Sequence, residues 1–111
     1  MKVDDQRMGS VTILVPRGAI AQEEVEGFAE TVENCRQRTN GRMVLEFSQV
    51  SYLDSQGVEA LWDLVDRQRE AGQTTKLAAV PELCREIFDL TGIAPHLDLF
   101  ESPESAVRSF L

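Results

Sequence analysis

Hydrophobic positions along this chain change period several times, and each change marks an element. Val11–Val15 is a short, nearly continuous apolar run. It reads as a strand ended by Pro16-Arg17-Gly18, since proline lacks a ladder donor and glycine permits a sharp bend. Before it, Lys2–Arg7 is polar with one valine and predicts a short edge strand, with Gly9-Ser10 at a hairpin tip. From Gln22 to Arg38 the apolar residues Val25, Phe28, Ala29, Val32 and Cys35 recur at three- and four-residue spacing, one stripe of an amphipathic helix. Its polar face runs from Glu23, Glu24, Glu26, Glu30 and Glu33 to Arg36 and Arg38, the order that suits the helix macrodipole. An acidic helical face of this kind is ordinarily solvated. Thr39-Asn40-Gly41 is a stop signal.

Met43–Phe47 is apolar almost without interruption, which predicts a central strand covered on both faces. A polar turn follows, and helical spacing restarts at Val58, Leu61, Trp62 and Val65, giving a helix from Gln56 to Ala71 that Gly72 stops. Thr75–Val80 is the next strand. Pro81, at a first helical position, opens a third helix whose stripe is Leu83, Cys84, Ile87, Phe88 and Leu90, and Gly92 closes it. Leu97–Phe100 is a short last strand. Ser102 and Pro103 cap and open a terminal helix that packs through Ala106, Val107 and Phe110. The order is ββαβαβαβα, and strands alternating with helices predict an α/β fold with a mixed sheet and helices packed on it. No repeat or linker interrupts the 111 residues, so a single domain spanning 1–111 is expected.

Charge narrows the partners. Nineteen acidic residues against 11 basic ones leave a net charge of −8, which repels a phosphate backbone and anionic membranes and favours a basic or mixed-charge protein. Cys35 and Cys84 stand alone on separate helices, too few and too far apart for a disulfide framework or a zinc site. They read as buried free thiols in a reducing compartment. The opening MKVDDQRMG has no apolar leader, and no apolar run nears the ~20 residues of a membrane span. A cytoplasmic protein without membrane insertion is expected.

Enzyme classes find little support. The one histidine, His96, sits in an Ala94-Pro95-His96 loop with no nucleophile beside it, and neither a phosphate-cradling glycine motif nor a metal-ligand cluster occurs. No catalysis and no cofactor are expected. A phospho-aspartate receiver built on Asp54 with Asp4-Asp5 fails too. Asp4 has only three residues before it, and Lys76 begins its strand, the wrong end for reaching a phosphate.

What remains is the tetrapeptide Asp54-Ser55-Gln56-Gly57 between the central strand and the second helix. A hydroxyl there lies at a helix mouth, where free N–H groups and the dipole favour an anion. A phosphate on Ser55 could be held locally, and its added charge of roughly −1.5 to −2 would be felt by any partner docked over the turn. Gly57 would let a partner's backbone approach. The plainer alternative is that Asp54 or Ser55 only caps the helix.

From Val50 to Gly57, reading VSYLDSQG, the chain resembles the STAS domain of bacterial anti-sigma factor antagonists, whose hallmark is an Asp-Ser-Ser/Thr-Gly turn after a hydrophobic strand. The likeness extends through Leu14–Gly18, Leu90–Ile93 and Leu99–Ala106. Gln56 stands where that family usually carries Ser or Thr, and Glu46 where an Asp is common. The resemblance implies a STAS fold with a mainly parallel sheet of four to five strands and about four helices. It also implies that Ser55 is the residue phosphorylated by an anti-sigma factor that is also a serine/threonine kinase. The unphosphorylated form would bind that kinase and release a sigma factor, and a phosphatase, of the PP2C type, would reverse the modification. Asp54, Ser55, Gln56 and Gly57, with Glu59 and Asp63 on the exposed side of the helix, form the expected contact surface. Monomer and weak dimer fit equally. The alternative within the same family is a scaffold subunit of a stressosome or of a lipid-transport ABC complex, not phosphorylated at Ser55.

Overall fold

The computed structural model describes residues 1–111. Its elements are β1 (Lys2–Met8), β2 (Val11–Ile20), α1 (Glu24–Thr39), β3 (Met43–Glu46), β4 (Val50–Leu53), α2 (Ser55–Glu70), β5 (Thr75–Ala78), α3 (Glu82–Thr91), a 3-10 turn (Ala94–His96), β6 (Leu97–Phe100) and α4 (Pro103–Arg108). The main sheet has the order β1-β2-β3-β5-β6, antiparallel between β1 and β2 and parallel elsewhere. The α/β class with a mixed, mainly parallel sheet and four helices is therefore as expected.

Alternation along the strands sorts the core into two layers. Leu14, Met43, Leu45, Phe47 and Leu77 point toward α1, α2 and α3, joining Phe28, Val32, Cys35, Leu61, Val65, Cys84 and Phe88. Val11, Ile13, Val15, Val44 and Ala78 point the other way, where Ala106 of α4 meets them. Both faces of β3 are covered, which is why its sequence shows no polar alternation. Cys35 and Cys84 are buried free thiols, and burial pushes both pKa values up.

Three local expectations change. The strand expected to stop at Val15 runs on to Ile20, because β2 changes partner rather than ending. Thr12–Leu14 pair with Met43–Leu45, whereas Gly18 and Ile20 pair with Val50 and Leu53 across a bulge. Pro16 falls in the gap between the two partners, where its missing N–H is tolerated. That second partner, β4, is the strand absent from the expected order. At four residues beside a polar turn it has too little length for a periodic signal. In α3, Cys84 and Phe88 are buried and Ile87 half-buried, but Leu83 and Leu90, expected in the core stripe, are 51% and 87% exposed. At 100° per residue both leucines lie well round the helix from Cys84 and Phe88.

Candidate functional site

Pairing of Ile20 with Leu53 sets the ends of β2 and β4 side by side. One exit leads through Gln22 to α1, the other through Asp54 into α2. Asp54 takes the extended conformation of an N-cap (φ −87°, ψ −175°), and its Oδ1 accepts the Gly57 N–H at 2.9 Å. Its Oδ2 accepts the N–H of Gln22, also at 2.9 Å. The Asp54 N–H in turn donates to the Ile20 carbonyl at 3.4 Å. Capping by Asp54, one of the two plain alternatives in the sequence, is realised, and the same carboxylate also ties down the β2–α1 connection. Gln22 sits in the left-handed region (φ 53°), uncommon for a residue with a Cβ, and the Asp54 bond helps hold it there.

These bonds have an electrostatic consequence. The Gly57 N–H first, and the Gln22 N–H next, lower the Asp54 pKa from its ordinary value by hydrogen-bonding the charged form. The turn thus carries a full negative charge at neutral pH. Sequence reasoning missed Gln22, because nothing local in a polar stretch signals a donor 32 residues from its acceptor.

Gly57 is buried, and its role differs from the one expected. A Cβ built on it would lie 2.1 Å from the Ile20 carbonyl oxygen and 3.2 Å from the Ile20 carbonyl carbon. The close approach that needs glycine is made by the chain's own β2, not left open for a partner. Ser55 and Gln56, the first two residues of α2, are exposed. The start of α2 is therefore held by the Asp54 cap, the Gln22 tie and the Gly57 contact, and Ser55 stands exposed at that start.

Glu59 and Asp63, one turn apart on α2, are exposed as well. They line a groove between α1 and α2 together with Gln56, Gln22, Glu23 and Glu26. Four carboxylates and no cation line it, so the acidic face of α1 and that of α2 become one surface next to Ser55. Deeper along the same two helices the charge is neutralised. Glu33 accepts from Arg36 at 2.7 Å and faces Arg67 of α2 at 3.2 Å, and the Arg36 hydrogen bond, with those of Gln37 and Arg67, lowers its pKa to about 2.

Other chemical groups are engaged elsewhere. The Arg69 guanidinium lies 2.7 Å from His96 Nδ1, and the His96 ring packs against Trp62 at 4.9 Å between centroids. No group of three or more His, Cys, Asp or Glu side chains is gathered to hold a metal ion. No helix is long and apolar enough to cross a membrane.

Comparison with known proteins agrees with this architecture. The family model of the STAS domain matches residues 2–106. A putative anti-sigma factor antagonist from Thermotoga maritima superposes with a TM-score of 0.86 at 17% identity, covering 96% of this chain and 92% of that one. The anti-sigma factor antagonist SpoIIAA of Bacillus, in its unphosphorylated form, gives 0.78 at 16% identity over 98% and 96% of the two chains. A sulfate transporter family protein from Wolinella succinogenes gives 0.74 at 18% identity over 92% and 85%. At such identities the likeness is one of fold. No match to the sequence is found among curated proteins. A family model that spans nearly the whole chain, on a sheet and helix arrangement shared with these structures, means that this chain belongs to the STAS domain family.

Proposed function

We propose that this protein is an anti-sigma factor antagonist that binds an anti-sigma factor serine/threonine kinase and is switched off by phosphorylation of Ser55. One observation carries the reading: an exposed serine is the first residue of a helix whose start is immobilised on three sides. A kinase needs an accessible hydroxyl, and a rigid support keeps the docked surface unchanged until charge is added. A phosphate on Ser55 would meet the helix dipole favourably, but it would stand beside the ionised Asp54 and one turn from the Glu59 carboxylate. Its principal effect would fall on the partner, through roughly −1.5 to −2 charges placed at the centre of the contact. The protein acts by binding and carries out no catalysis itself, in a cytoplasmic setting.

Asp54, Gln56, Glu59 and Asp63 join Ser55 in this contact, and the groove adds Glu23, just before α1, and Glu26 of α1. Gly57 serves it indirectly, by allowing α2 to approach Ile20.

The test is incubation with the cognate anti-sigma factor serine/threonine kinase and ATP, followed by phosphosite mapping. Phosphate is expected on Ser55, with Ser55→Ala retaining kinase binding and Ser55→Asp weakening it. Phosphate on another residue, or none, would sink the assignment. Partner binding that ignored Ser55→Asp would instead favour a constitutive scaffold or transporter-associated subunit.

A further inference from the structure

Along α3, Leu83 and Leu90 are exposed and Ile87 is half-buried. At positions i, i+4 and i+7 these three form one straight row on the helix surface. Glu82, Glu86 and Asp89, each one residue earlier, form a second row beside it, and all three are exposed. The one cation of the helix, Arg85, borders the acidic row on the side away from the leucines, and its Nε donates to the Val80 carbonyl at 3.3 Å, leaving three carboxylates against one guanidinium. A single exposed leucine calls for no explanation. Two parallel rows, one apolar and one acidic, are instead the pattern of a helix that packs against another helix with charges alongside the seam. This row lies on a different helix from Ser55. α3 packs on β4 and the 3-10 turn, whereas α1 and α2 pack on each other.

We propose that this face of α3 is a second docking surface, taken by a basic amphipathic helix of a partner protein. The partner's apolar row covers Leu83, Ile87 and Leu90, and its Lys or Arg residues lie against Glu82, Glu86 and Asp89. Charge complementarity selects this occupant. A second copy of the chain would bring carboxylates against carboxylates, and an anionic lipid surface would be repelled. A contact of about two helical turns is smaller than a standard interface, so the isolated affinity is roughly micromolar or weaker. The contact does not depend on the Ser55 switch and persists when Ser55 carries charge.

The test is an amide-shift NMR titration of the whole chain with a designed helical peptide carrying leucines at i, i+4 and i+7 and a flanking lysine row. Two control peptides replace the lysines by glutamates or the leucines by serines. Shifts are expected along 82–91, with at least tenfold weaker binding for Leu90→Ser and for the double variant Glu86→Lys, Asp89→Lys, and unchanged binding for Ser55→Asp. Because Leu90 is 87% exposed, Leu90→Ser should keep the melting temperature, and that measurement separates lost docking from lost folding. Shifts centred on the α1–α2 groove, no binding, equal binding of either control peptide, or dimerisation through α3 in sedimentation without peptide would each overturn the proposal.

Discussion

Gly57→Ala sets two known effects against each other at the turn. Alanine is favoured over glycine in a helix by about 1 kcal/mol, so propensity alone predicts a more stable protein. The structure predicts the reverse. The new Cβ would stand 2.1 Å from the Ile20 carbonyl oxygen, roughly 1 Å inside ordinary contact, and the obstructing atom is backbone, which cannot swing aside as a side chain would. Moving α2 away would stretch the Asp54 N–H bond to Ile20 and the Gln22 bond to Asp54. Overpacking of this kind costs typically 1–3 kcal/mol and occasionally more. With two backbone segments forced apart, a clash near 4 kcal/mol less the propensity gain leaves a net loss of about 3 kcal/mol. Urea unfolding followed by far-UV circular dichroism should show the midpoint fall by about 1–2 M at unchanged slope. Amide shifts should change most over 20–22 and 54–58. A variant as stable as the parent, or more so, would refute the claim that β2 and α2 meet too closely for any side chain.

Asp54→Ala removes both ties of the turn, so hydrogen exchange at the Gln22 and Gly57 amides should accelerate together. Acceleration at Gly57 alone would mean that the Gln22 bond does not hold the β2–α1 connection. Thr75→Val leaves the buried Gln68 Oε1 without the hydroxyl that donates to it at 2.7 Å, at an expected cost of about 1–3 kcal/mol in denaturant unfolding. A loss within a few tenths would show that the pair adds nothing. Glu33 has a folded pKa of about 2, below its ordinary value of 4.5, so its stabilisation is present above pH 4.5 and is lost as pH falls toward 2. Its side chain is one-fifth exposed, and solvent screening brings the expected contribution to about 1 kcal/mol. Glu33→Gln should flatten the stability profile between pH 4.5 and 2, and parallel profiles would exclude a role for this ion pair.

The sequence by itself determined the α/β class, the extent of most elements and the position of Ser55 at a helix mouth. Those features are written locally, in the three- and four-residue spacing of α1 and α2, the unbroken apolar run of β3, and the capping residues Asp54 and Ser102. β4 escaped because four residues carry no period, and the true end of β2 escaped because Pro16 reads as a stop to anyone who cannot see the partner change. The outward turn of Leu83 and Leu90 is a matter of how α3 is rotated on β4, which apolar spacing cannot specify when a helix is apolar over a wide arc. Tertiary structure alone decided how the turn is held. Asp54 reaches an amide 32 residues away, and Gly57 is needed because Ile20 already occupies the space beside it. It also merged Glu23 and Glu26 with Glu59 and Asp63 into one groove. The physical reason is common to these cases: periodicity and capping act within a few residues, whereas a clasp, a close approach and a shared electrostatic surface exist only once distant segments have packed.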